Sequence, residues 1–230
     1  MQQGEILVVD DDPHLREVVT YALTREGFTV HEAENGVAAL ERFDAAPVDL
    51  IVLDVLMPEM DGLEVCRRIR ANSNVPIVFL SSRGEEIDKV LGLELGGDDY
   101  VAKPFSPREL VSRVKAVLRR TRGAEAAATS SDSAEMNHAG LRIDTTEHRV
   151  WANGTELQLT VTEFRLLSVL MGRPGRVYTR EDLVEHAYPG NHHVSDRTVD
   201  SHVRRIRQKL RDQGLDPIET VHGLGFRLRK

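Results

Sequence analysis

The stretch Ile6-Leu7-Val8-Val9-Asp10-Asp11-Asp12-Pro13 joins four consecutive apolar residues to three acids and a proline. An apolar, β-branched run of that length reads as a strand covered on both faces, the pattern of a parallel strand packed between helices. Proline suits the first turn of a helix, and an acid just before it suits the cap. The acids therefore stand at the carboxyl end of a strand, the edge at which open α/β sheets bind ligands.

Reading outward, the same unit recurs. Short β-branched runs at 6–9, 29–32, 50–53, 77–80 and 100–102 alternate with amphipathic stretches at 14–26, 36–45, 62–71, 85–95 and 107–120. The first, third and fourth runs are apolar at every position. Asn35-Gly36 and Ser106-Pro107 mark further junctions, as turn and helix-start residues do. Five strand–helix pairs predict a doubly wound, flavodoxin-like α/β domain with a five-stranded parallel sheet over residues 1–120.

Residues 121–139 are Ala, Ser, Thr and acids with almost no large apolar side chain, which predicts a flexible linker with a span on the order of 25 Å. Beyond it, residues 140–230 open with short alternating segments around an Asn153-Gly154 turn, continue with helical patterns at 162–172, 180–187 and 195–211, and close on a hairpin around Gly223-Leu224-Gly225. Thr160 or Thr162 would cap the first of those helices. A small antiparallel sheet, three helices and a terminal hairpin make an α+β winged helix.

Composition bounds the rest. With 230 residues, 40% apolar and 29% charged, the chain is too well mixed to be disordered or fibrous. Its longest apolar runs are strand-sized, whereas a membrane span needs about 18 residues. No basic, apolar and small-residue leader pattern opens it, so a cytoplasmic location with no membrane association is the expectation. The single Cys66 excludes an internal disulfide and is expected to pack as a small apolar side chain. The net charge of −7 conceals a division. Residues 1–120 carry 14 basic and 22 acidic side chains, residues 140–230 carry 15 and 12, and Arg197 to Arg211 alone carries six basic and one acidic.

The chemistry of the first half gathers at one sheet edge. Asp10 and Asp11 end the first strand, Asp54 the third and Ser81 the fourth, and Lys103 follows the fifth. Three crowded carboxylates repel unless a hard divalent cation neutralises them, which points to Mg2+. Lys103 supplies a point charge and Ser81 a hydroxyl donor for phosphoryl oxygens, so the set fits formation of an acyl phosphate. Asp54 is the best nucleophile, because Asp10 and Asp11 sit together as a ligand pair. A phosphatase of the haloacid dehalogenase type shares an Asp nucleophile and Mg2+, but such enzymes need a second acid two residues on, where this chain has Leu56.

In the second half, Val199, Val203, Ile206 and Leu210 form a buried stripe at helical spacing. The other faces of that helix carry Arg197, His202, Arg204, Arg205 and Arg207 as donors for phosphates or guanine edges, with Thr198 and Ser201 short enough for close approach. A helix of this kind belongs in a major groove.

Five motifs in this order carry a family resemblance. Residues 6–12, Val52-Leu53-Asp54-Val55-Leu56-Met57-Pro58, Ser81-Ser82-Arg83 and Asp98-Asp99-Tyr100-Val101-Ala102-Lys103-Pro104-Phe105 resemble the receiver domain of two-component response regulators. Residues 196–207, with Thr220-Val221-His222-Gly223-Leu224-Gly225-Phe226-Arg227, resemble the effector domain of the OmpR/PhoB subfamily. The resemblance implies a transcription regulator rather than a metabolic enzyme. In it, a sensor histidine kinase phosphorylates Asp54, slow self-dephosphorylation reverses this, and Mg2+ is arranged by Asp10, Asp11, Asp54 and the Leu56 carbonyl. Ser81 and Lys103 sense the product and Tyr100 is the aromatic switch. It implies homodimerisation on the 85–120 face, with Lys89 facing Glu109, Asp99 facing Arg113 and Glu94 facing Lys115 across a two-fold axis. It also implies promoter binding by helix 195–211 with Thr220 and His222 of the wing, contact of loop 188–194 with RNA polymerase, and a candidate cis bond at Lys103-Pro104. His222 stands where the subfamily usually has arginine, and Ser81 where threonine is commoner. A phosphorylation-independent regulator that uses its receiver only to dimerise is the alternative.

Overall fold

A computed structural model describes residues 4–82, 96–122, 135–187 and 196–230. The chain divides into two compact units, Met1–Arg120 and Thr121–Lys230. Among the described residues no helix is long and apolar enough to cross a membrane.

The first unit is a parallel sheet of five strands in the order β2-β1-β3-β4-β5: β1 (Glu5–Val9), β2 (Thr29–Ala33), β3 (Leu50–Asp54), β4 (Ile77–Ser82) and β5 (Asp99–Lys103). The central runs are buried because both faces are covered: every residue of Leu50–Leu53 and Ile77–Val78 has no exposed surface. Helices α1 (Pro13–Arg25), α2 (Gly36–Ala45), α3 (Gly62–Arg70) and α4 (Pro107–Arg122) are the described ones. Each of the first three starts at a side chain that accepts free backbone N–H groups: Asp12 from His14 and Leu15, Asn35 from Ala38, and Asp61 from Glu64. The stretch predicted as a helix at 85–95 lies outside the described residues. Cys66 is fully buried.

The second unit opens with a four-stranded antiparallel sheet, β6 (Glu135–His138), β7 (Leu141–Asp144), β8 (Arg149–Ala152) and β9 (Thr155–Leu157). Two ends of the predicted linker are therefore ordered: Thr121–Arg122 continues α4, and Glu135–His138 pairs with β7. Strand β6 carries one large apolar residue, Met136, and its partner strand supplies the backbone bonds that its own sequence does not advertise. Helices α5 (Val161–Gly172), α6 (Arg180–Ala187) and α7 (Asp196–Arg211) follow. A sheet of β10 (Tyr178–Thr179), β12 (Gly225–Leu228) and β11 (Ile218–Val221) completes the winged helix. Thr160, not Thr162, caps α5: its hydroxyl accepts from Glu163 N, and the Glu163 carboxylate accepts from Thr160 N at 3.0 Å.

Candidate functional site

The carboxyl ends of β1, β3 and β5 converge, and the apolar runs place their first polar residues there. Asp10 and Asp54 are 1% and 4% exposed. Carboxylate oxygens of Asp10, Asp11 and Asp54 lie within 4.8 Å of one another. The Lys103 Nζ reaches between two of them, donating to Asp10 Oδ2 at 2.7 Å and lying 2.9 Å from Asp54 Oδ2. Ser81 is buried one residue beyond Leu80, the register partner of Asp54, so its hydroxyl belongs to the same edge. Leu56 stands next to this edge, half exposed.

One cation does not balance this pocket. Burial, followed by the charge of Asp10, pushes the Asp54 carboxyl up to about 6 despite its hydrogen bond to Lys103. Burial pulls the Lys103 ammonium down, but its bonds to Asp10 and Asp54 outweigh that and hold it above its ordinary value. Three oxygen-only ligand groups around one lysine fit a hard divalent cation that takes carboxylates, carbonyls and water. Two supports were not legible in the sequence. A Cβ at Gly62 would lie 2.0 Å from the Asp54 carbonyl, so only glycine lets α3 start against the β3 backbone. The Arg16 Nη1 donates to the Asp10 carbonyl at 2.6 Å, a contact between a helix and a strand end that no local motif announces.

On the neighbouring face, Tyr100 is 6% exposed and burial raises its phenol above the ordinary value. Arg113 lies 3.3 Å from Asp99 and 3.4 Å from Glu109 of its own chain. Lys115, expected opposite Glu94 of a second copy, meets Glu26 of α1 within its own unit. Lys89 and Glu94 lie outside the described residues, as do Arg83 and loop 188–194.

In the second unit, α7 buries Val199, Val203, Ile206 and Leu210 completely. Thr198 and His202 are also fully buried, which corrects their placement on the DNA-facing surface. Steps of four residues from 198 to 202 to 206 keep both on the packed side of the helix. Arg207 is turned away as well: it donates to the Ile218 carbonyl at 3.2 and 3.1 Å and to the Thr220 hydroxyl at 2.8 Å. Its long side chain thus ties α7 to the wing and takes up Thr220 too. Arg204 and Gln208 remain exposed, Ser201 and Arg205 half-buried, and the side chain of Arg197 lies outside the description. His222 is exposed at the hairpin tip beside Leu224, itself 58% exposed.

Comparison with known proteins agrees with both halves. Residues 6–115 match the response regulator receiver domain, and residues 154–228 match the C-terminal domain of transcriptional regulatory proteins. The chain is 43% identical over 226 residues to the phosphate regulon transcriptional regulatory protein PhoB of Escherichia coli, covering 96% of each chain. It is 44% identical over 231 residues to the transcriptional regulatory protein ResD of Bacillus subtilis, covering 98% of this chain and 95% of that one. Against the sensory transduction protein RegX3 of Mycolicibacterium smegmatis it is 39% identical over 225 residues, covering 97% and 98%. A solved structure of a RitR mutant superposes with a TM-score of 0.70 at 26% identity, covering 98% of this chain and 99% of that one.

Proposed function

The chain belongs to the OmpR/PhoB family of two-component response regulators, and we propose that Asp54 is its phosphoacceptor and that Asp10, Asp11, Asp54 and the Leu56 carbonyl hold Mg2+. The observation that carries this is the meeting of three carboxylates within 4.8 Å beside a lysine bonded to two of them. Bound there, Mg2+ would neutralise the carboxylates and the charge of the incoming phosphoryl group.

In the transfer, an Asp54 carboxylate oxygen forms a bond to phosphorus as the N–P bond of a phosphohistidine on a sensor kinase breaks. The electron pair stays on the histidine nitrogen. Lys103, already 2.9 Å from Asp54 Oδ2, moves with the new phosphoryl oxygens, and the Ser81 hydroxyl donates to another. Tyr100, on the same strand as Lys103, carries the change to the surface formed with Asp99, Glu109, Arg113 and Lys115. With Lys89 and Glu94, that surface dimerises on phosphorylation. Attack by water on the acyl phosphate resets the switch slowly.

Promoter DNA is read by Arg197, Ser201, Arg204 and Arg205 of α7, with His222 at the wing and loop 188–194 offered to RNA polymerase. Support comes from the exposure of Arg204, which shares one helix face with Ser201. Incubation of the full chain with a phosphorylated kinase or acetyl phosphate tests the acceptor. Uptake of a hydroxylamine-labile phosphoryl group that needs Mg2+ and disappears in Asp54→Ala is the expected result. Undiminished labelling of Asp54→Ala overturns the assignment.

A further inference from the structure

Besides its backbone N–H, Asp10 is held at three points. Its Oδ1 accepts from Asp12 N at 3.0 Å and its Oδ2 from Lys103 Nζ at 2.7 Å, both from within the acidic pocket. The third bond comes from outside it: Arg16 Nη1 to the Asp10 carbonyl, at 2.6 Å. The Arg16 side chain is only 13% exposed, and its Nε lies 3.6 Å from Glu32 Oε2 on β2. Its own backbone N–H donates to the Asp12 carbonyl at 3.0 Å, so the guanidinium hangs from the first turn of α1, directly behind the Asp12 cap.

This contact falls where the sheet stops supporting the chain. The last ladder pairs of β1 are Val9 with Ala33 and Val9 with Leu53, and past them Asp10 N has only a 3.3 Å bond to the Ala33 carbonyl. Asp11 is exposed and belongs to neither strand nor helix. A peptide unit is planar, so holding the Asp10 carbonyl also sets the plane in which Asp11 N and Cα leave it. Fixing that plane removes one of the two backbone rotations that lie between the Asp10 and Asp11 side chains, leaving only rotation about the Asp11 N–Cα bond.

We infer that Arg16 is a positioning residue for the divalent-cation site: by gripping the Asp10 carbonyl it fixes the Asp10–Asp11 peptide so that both carboxylates face Asp54. The inference rests on the Mg2+ reading above and goes beyond it by giving a role to a cation. That role carries a sign that separates it from electrostatics. A positive side chain near a cation site repels the cation, so charge alone predicts tighter Mg2+ binding when Arg16 is neutralised. Positioning predicts the opposite, since loss of an outer-shell support weakens metal binding.

Calorimetric titration of Mg2+ into the full chain decides between them. The dissociation constant of Arg16→Met is expected to rise by roughly tenfold or more. With acetyl phosphate as donor, the Mg2+ concentration giving half-maximal phosphorylation rises in parallel, while the rate at saturating Mg2+ stays close to that of the parent chain. A dissociation constant that is unchanged or lower in Arg16→Met overturns the inference, as does a fall in saturated rate with no change in Mg2+ affinity. Should Arg16→Met fail to melt cooperatively, Arg16→Gln, whose shorter side chain leaves the Asp10 carbonyl unsupported, takes its place under the same criteria. If the parent chain takes up no Mg2+, the Mg2+ reading itself fails; if the parent binds and the variant binds equally well, only the role of Arg16 falls.

Discussion

Asp54 is a carboxyl kept at a cost to the fold. Folding lifts it from an ordinary 3.8 to about 6 through burial and the neighbouring Asp10. The folded state thus keeps a proton that the unfolded chain releases. The stability this contributes is fully present below about pH 4 and is lost as pH rises through 6. In Mg2+-free buffer, Asp54→Asn is therefore expected to be the more stable protein at pH 7.5, and the difference should vanish near pH 4. Chemical denaturation at the two pH values checks this, and equal stability at pH 7.5 would refute the cost of the buried charge. On the DNA side, Arg205 lies half-buried and Arg204 exposed on α7. Arg205→Ala is expected to weaken specific binding by about 1–3 kcal/mol if the side chain reads a base edge. A loss that is uniform across DNA sequences and shrinks with salt would assign it to phosphate contact instead.

At the scale of elements, one polar cluster locks the winged helix. Glu163, 1% exposed, accepts from Thr160 N at the start of α5 and from Lys209 Nζ of α7 at 2.7 Å. Lys209 also donates to the Gln158 carbonyl at 2.7 Å. Removing the carboxylate takes away a cap and strands a partly buried ammonium. Glu163→Ala should cost the second unit about 2–4 kcal/mol in urea denaturation. Arg211→Ala, which breaks an exposed pair with Asp216 at 3.1 Å, should cost about 0–1 kcal/mol. The elements themselves were largely legible, because strands that are apolar at every position have one place to go, between two layers of helices. The acids that end them were legible for the same reason: Asp10 and Asp54 are where the apolar runs stop. What stayed hidden depends on packing. Thr198 and His202 are polar by composition and buried by position, Arg207 is long enough to fold back on the wing, and β6 is a strand only because β7 pairs with it. Gly62 and Arg16 act on backbone atoms at the end of the strand preceding their own helix, contacts that depend on how the chain turns and not on residue type.

For the whole molecule, the division of charge has a physical sense. An acidic unit that needs a cation sits on one chain with a basic helix that can meet DNA, and the net −7 describes neither. On the proposed reading, phosphorylation at a sheet edge is converted into a change of self-association, since two copies held together would present two α7 helices to adjacent half-sites. Asp99 and Arg113 already pair within one chain, so the proposed dimerisation would work with that pair in place or exchange it. The direct test is a titration of DNA, selected by the phosphorylated chain, at one fixed salt concentration, with and without Mg2+ and acetyl phosphate. Phosphorylation is expected to tighten binding by roughly 5–150-fold in the parent chain and to leave Asp54→Ala unchanged. Equal affinity of the parent chain in both conditions, or equal tightening in Asp54→Ala, would contradict the account.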